Sequence, residues 1–189
     1  ATAAVSSLAP DATRTRPAVI YVNTSELASR AAYELPDAYL REALPGRLFA
    51  VVLAQETTRL PRFRRYGSQP AFDEGWALYA SSLGLELGLY ADPVTHAAAI
   101  AHELAQAALL VVDTGLHAQG WSRERALEYL RSNSALAEPA LVAAVDRCIA
   151  RPGEALAATT GRLRIEQMRL AAEQRLGARF DLREFHEQV

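Results

Sequence analysis

The chain has 189 residues, half of them hydrophobic, which suffices for one domain with a sizeable core. Its 22 acidic and 20 basic residues leave a formal net charge of −2, so composition points to no nucleic-acid or anionic-membrane partner. A single cysteine, Cys148, excludes an intrachain disulfide and a multi-cysteine metal site, and its setting in AVDRCIA reads as a buried structural thiol.

Residues 1–17 are rich in Ala, Ser, Thr and Pro and are expected to form a loose lead-in to a domain spanning 18–189. No signal-peptide core opens the chain and no uninterrupted apolar run reaches bilayer length, so no membrane span is expected; the compartment stays open. Ala18–Asn23 (AVIYVN) is β-branched and aromatic, a short strand. Pro36 opens a helix through Leu44, the Pro45-Gly46 pair interrupts it, and Arg47–Thr58 resumes. Leu60–Gln69 reads as a basic loop, and Phe72–Tyr90 as a second long helix. Asp92 is an N-cap with Pro93 at the first helical position. Its helix runs to about His117, with Ile100, Leu104, Ala107 and Val111 along one stripe. Gly120-Trp121-Ser122 caps the next helix, near Arg123–Arg131, and further helices are expected over 137–150 and 154–176, and from Asp181 onward. The pattern predicts an all-α, multi-helix fold with a short N-terminal β-strand.

Four segments are odd for plain helices. In Arg41-Glu42-Ala43-Leu44-Pro45-Gly46-Arg47 a helix break sits between charged groups, and a proline there costs about 3 kcal/mol. Phe72–Tyr79 (FDEGWALY) puts Glu74 and a glycine at the head of an aromatic-rich helix. Asp113 and His117 stand four apart on one helical face, a spacing that orients an imidazole. Arg147 is followed by Arg151-Pro152-Gly153-Glu154-Ala155. Singly, each has a structural explanation: a surface ion pair for Glu42, a first-turn carboxylate for Glu74, a structural hydrogen bond for Asp113 and His117.

Together and in order, these segments resemble the bacterial family known as domain of unknown function 885, whose members resemble zinc peptidases of the HExxH type. The family pattern is a strand ending Tyr-x-Asn, then His-Glu-x-x-Pro-Gly-His-His, Glu-Gly-Trp-Ala-Leu-Tyr-Ala-Glu, Asp-Thr-Gly-x-His and a late Pro-Gly-Gln-Ala. This chain offers Tyr21-Val22-Asn23, Arg41–Leu48, EGWALYA at Glu74–Ala80, DTGLH at Asp113–His117 and PGEA at Pro152–Ala155. The resemblance implies a metallopeptidase-like helical domain, the catalytic part of a longer fold without its N-terminal half. It also implies that Tyr21, Asn23, Tyr79 and Arg147 line the same cleft as Arg41, Arg47 and Glu74.

A catalytic zinc needs about three His, Asp or Glu ligands and a general base beside its water. In the resembled pattern these are two histidines of the broken helix, the carboxylate corresponding to Glu74, and a base corresponding to Glu42. Here Arg41, Arg47 and Leu48 stand at the histidine positions, Ser81 at a glutamate and Ala158 at an expected tyrosine. Arginine stays protonated and offers no lone pair, so no metal is expected; Glu74 is the sole retained candidate ligand. His102-Glu103 lacks the second histidine of a zinc motif, since position 106 is Gln. The leading reading is that Arg41 and Arg47 replace the cation structurally, beside Glu42, Glu74 and Asp113, and the sharper one is an anion site for an acidic small ligand. The expected function is a binding or scaffold domain that has lost zinc hydrolysis, working with a second chain or domain in place of the missing half. The alternative is an enzyme using Glu42 and His117, oriented by Asp113, for metal-independent acid–base chemistry.

Overall fold

A computed structural model describes residues 5–25, 27 and 30–189. The chain begins with an antiparallel pair, β1 (Val5–Leu8) and β2 (Val19–Val22), in a register that sets Val5 opposite Val22 and Leu8 opposite Val19. Four residues of the stretch expected to be a loose lead-in are therefore a strand, and Val5 is buried against the helices. In the connection the Asp11 carboxylate accepts from Thr13, Thr15 and the Arg16 amide. A Thr15 hydroxyl bond, aided by the others, holds its carboxyl down at about 2.

Among the described residues nine α-helices follow: α1 (Leu35–Glu42), α2 (Arg47–Glu56), α3 (Arg62–Tyr66), α4 (Pro70–Ser82), α5 (Pro93–Ala118), α6 (Arg123–Asn133), α7 (Glu138–Ala150), α8 (Glu154–Leu176) and α9 (Leu182–Gln188). Asp92 caps α5 by accepting from the Thr95 amide, and Ser122 caps α6 through the Arg125 amide, as the sequence predicts. Two boundaries differ. A turn of helix, α3, occupies the arginine-rich segment read as a loop. The helix expected to reach Tyr90 stops at Ser82, and residues 83–90 fold back so that the Tyr90 ring lies against Gly84, where a Cβ would come within 2.4 Å of it.

The centre of the fold is the pairing of α4 with α8. Gly75 and Gly161 face each other across it: a Cβ on Gly161 would lie 1.7 Å from the Ala71 carbonyl oxygen, and one on Gly75 2.5 Å from the Gly161 carbonyl carbon. Only glycine permits that approach. Trp76, Tyr79, Leu83, Ile165 and Phe185 form one apolar cluster along this seam, where α9 closes over it. A second cluster (Ala108, Val112, Ala126, Leu127, Leu130, Leu141, Val145, Cys148) joins α5 to α6 and α7. Among the described residues α5 is the one helix long and apolar enough, by length and composition, to cross a membrane. Glu103 and Asp113 are the acidic residues along it, so its apolar run is an interrupted one.

Candidate functional site

The break between α1 and α2 sets the geometry of the site. The Leu44–Pro45 peptide is cis, and a Cβ at Gly46 would fall 2.1 Å from the Arg41 carbonyl oxygen, so α2 turns back directly over the end of α1. The Trp76 indole N–H donates to the Pro45 carbonyl at 2.8 Å, fastening the break to α4, the helix that carries Glu74. Positions 41 and 47 thereby meet at one carboxylate. Arg41 Nη1 lies 3.8 Å from Glu42 Oε1, and Arg47 Nε 3.6 Å from Glu42 Oε2.

A chain of alternating charges results. Arg41 Nε donates to Asp37 at 3.0 Å, one turn earlier on α1, and Arg47 Nη2 donates to Glu74 at 2.5 Å. The Arg47 guanidinium sits between Glu42 and Glu74, and all three side chains are partly buried.

Two members of this group, Asp37 and Tyr90, lie outside the residues singled out by sequence, and Ser81 and His102 were named there only as departures from zinc patterns. Asp37, 4% exposed, also accepts from the Ser81 hydroxyl and from Tyr90 Oη at 3.0 Å, and His102 Nδ1 stands 3.7 Å from it. Burial pushes the Asp37 carboxyl up, but Arg41, His102 and Ser81 more than offset it and hold the group below the usual range. Burial and then the Arg41 charge drive His102 down to about 4, so the imidazole is neutral at pH 7. Burial likewise raises Tyr90. The one sequence signal for this cluster is the i, i+4 spacing of Asp37 and Arg41.

Asp113 and His117 form a different group. Asp113 is 2% exposed and accepts from the Gly153 amide with both oxygens at 3.0 Å, and from the Ala155 amide at 3.2 Å. It caps α8 from outside the helix, while Gly153, at φ 82°, supplies the left-handed turn before it. His117 Nε2 donates to the Cys148 carbonyl at 2.9 Å and lies 3.9 Å from Asp113. Gly115 leaves room for the Trp121 ring, 2.4 Å from where its Cβ would be. Among the described residues no hydrogen bond or ion pair joins Asp113 or His117 to Glu42 or Glu74.

The other expected cleft residues have settings of their own. Tyr79 is buried under α9, its hydroxyl bonded to His186 Nε2 at 2.8 Å and to Arg169 at 3.3 Å; burial raises its pKa. Tyr21 is 53% exposed on β2, Asn23 accepts from the Ser25 amide and hydroxyl, and Arg147 is exposed on α7. The Cys148 thiol is buried and pushed up to about 11 by burial and then by Asp113, which suits a structural role.

Two cavities stand out, one of about 500 Å³ between α8 and α9 and one of about 180 Å³ beside Arg14 and Arg16, and neither is lined by Glu42, Glu74 or His117. Among the described residues no three His, Cys, Asp or Glu side chains are placed to hold a metal ion. At the α1–α2 break the donor chemistry agrees. The two guanidinium groups can only donate hydrogen bonds, and Arg47 fills the space between the carboxylates.

No curated protein matches this chain. Of its 189 residues, 97% superpose on a structure described as "the putative lipoprotein from Colwellia psychrerythraea", with a TM-score of 0.93 and 36% identity. A structure described as "a putative lipoprotein of unknown function from Shewanella oneidensis" shares the fold over 89% of the chain, with a TM-score of 0.75 and 20% identity. The chain spans 32% and 33% of those two proteins' lengths. The model of the family described as "Bacterial protein of unknown function (DUF885)" matches residues 1–189, and the chain belongs to that family.

Proposed function

We propose that this chain is a non-catalytic helical domain of its family, a binding or scaffold element. In it the ion pairs of Arg47 take the place that a zinc ion holds in the resembled peptidase pattern. The observation that carries the reading is the position of Arg47 between Glu42 and Glu74. A cation bound by two carboxylates is there in covalent form, and Arg41 serves Asp37 and Glu42 in the same way. These residues do not fit zinc: a permanently protonated guanidinium neither ligates the ion nor admits it between the carboxylates.

The same contacts weigh against the two other readings. A site for an acidic ligand needs free guanidinium groups, and those of Arg41 and Arg47 are already engaged by Asp37, Glu42 and Glu74. Metal-independent acid–base chemistry needs Glu42 and His117 in one cleft, whereas His117 is bonded to the Cys148 carbonyl beside Asp113. On this proposal the domain works together with the rest of the family fold, supplied by the same polypeptide or by a second chain.

Zinc titration calorimetry and metal analysis test the reading. The unmodified protein should take up no stoichiometric zinc, and Arg41→His with Arg47→His should restore weak binding. Restoration stays partial because groups that orient the ligands matter about 10–100-fold in affinity. Stoichiometric zinc in the unmodified protein, lost on Glu74→Ala, would overturn it.

A further inference from the structure

The longest helix presents a second feature that its partners in the fold leave unused. The inner side of α5 is packed: Thr95, Ala99, Ala105, Ala108, Val112, Asp113 and Gly115 are buried. The opposite side is bare. Ala97, Ile100, Leu104, Ala107, Val111 and Thr114 are all exposed, Ile100 at 53%, Leu104 at 52% and Val111 at 39%.

Their spacing is three, four, three, four, three. That alternation averages 3.5 residues and is the seam of one helix packed lengthwise on another, not the wider face that meets a sheet or a lipid bilayer. Two alanines alternate with larger side chains, which leaves holes for the knobs of a facing helix. Thr114 fits the pattern, since its hydroxyl is bonded back to the Leu110 and Val111 carbonyls and is not left unpaired on the seam. From position 97 to 114 the seam runs roughly 26 Å at 1.5 Å per residue. An uncovered apolar strip of that length marks an interaction surface.

The occupant follows from the size of the relatives. The chain matches almost end to end a third of the Colwellia protein, whose remaining two thirds must pack against something. We propose that the outer seam of α5 docks a helix from that remaining part of the family fold, whether it arrives in the same polypeptide or as a separate chain. This rests on the reading of the domain as one part of a larger assembly, and names the surface and the kind of element that meets it.

The test compares one double substitution, Ile100→Glu with Leu104→Glu, in two settings. In the 189-residue chain both side chains are exposed, so far-UV circular dichroism and Tm should stay within a few degrees of the unmodified protein. In a chimera, where this chain replaces the matching third of the Colwellia protein, the same change should lower Tm by at least about 5 °C and speed proteolysis more than tenfold. Where the chimera does not fold, the substitutions go into the superposed positions of the Colwellia protein, with the same expected loss. Equal behaviour in both settings would overturn the proposal. So would a dimer of the 189-residue chain, seen by sedimentation and dissolved by the substitutions, since the seam would then belong to a second copy. Zinc uptake by the same proteins separates the two readings, because stoichiometric metal would sink the proposed function and leave the docking result untouched.

Discussion

Gly161→Ala sets two effects of opposite sign against each other. By helix propensity alone, alanine in the interior of α8 should stabilise by about 1 kcal/mol. The structure argues the reverse, because the new methyl would lie 1.7 Å from the Ala71 carbonyl oxygen and 2.9 Å from the Gly75 Cα. Both are backbone atoms of α4 and cannot swing aside. Restoring even a 3.0 Å separation moves α4 outward by more than about 1 Å. Across a helix-wide seam, roughly 10 Å by 10 Å, that opens ~100 Å³, which at ~24 cal/mol per Å³ costs about 2 kcal/mol. Contact strain adds a further 1 to 3 kcal/mol or so. Set against the propensity gain, the expected net loss is about 2 to 4 kcal/mol. The same shift draws Glu74, the neighbour of Gly75, away from Arg47. Urea unfolding followed by far-UV circular dichroism reads the outcome as a lower midpoint at unchanged slope. A midpoint equal to or above that of the unmodified protein would refute the close-packing argument.

His102 makes stability fall with acid. Its folded pKa, about 4, lies below the ordinary 6.5, so the unfolded chain binds the proton more tightly. Its contribution is complete above pH 6.5, is lost as pH falls from 6.5 to 4, and amounts to ~3 kcal/mol at most. Asp37, also held low, adds its own loss below that window, and His102→Gln should flatten the pH profile between 6.5 and 4. Asp113→Ala strips three amide contacts from the start of α8 and should cost about 2 to 3 kcal/mol in urea unfolding, more than Asp113→Asn, which keeps one acceptor oxygen. Cys148 should resist alkylation at pH 8 in the native protein and react at once in denaturant; rapid native labelling would contradict its burial and raised pKa.

Helix starts written in local chemistry were legible: Asp92 before Pro93, Ser122, and the Pro45-Gly46 break are decided within a turn of the chain. Features decided by distant partners were not. Val5–Leu8 is a strand because β2 lies beside it, and its own Ser-Ser centre carries no β-branched signal. The Ile100–Val111 stripe was visible, but its direction was not. Helix α5 is apolar on most of its circumference, and close packing selects the alanine side for the interior. The Asp37 cluster escaped notice because its members come from α1, α4, α5 and the fold-back after α4, with only the Asp37–Arg41 pair near in sequence.

The motifs that carry the family resemblance divide by what holds them in place. Gly75 admits α8, Trp76 ties the α1–α2 break, Tyr79 anchors α9, Gly115 admits Trp121, and Asp113 with Gly153 begins α8. Each has work in the fold that needs no metal, so matching EGWALYA and DTGLH is evidence of architecture before it is evidence of chemistry. The positions where the chain departs from the pattern behave differently. Arg41 and Ser81 bond Asp37, Arg47 joins Glu42 to Glu74, and Leu48 and Ala158 are buried among their neighbours. A lone carboxylate half-buried beside another is costly, and a guanidinium between them removes that cost without a bound ion. Apart from Arg47 Nε, which is buried without a hydrogen-bond partner, these departures are answered by packing or charge neutralisation, so the helical fold persists with no ion at the break.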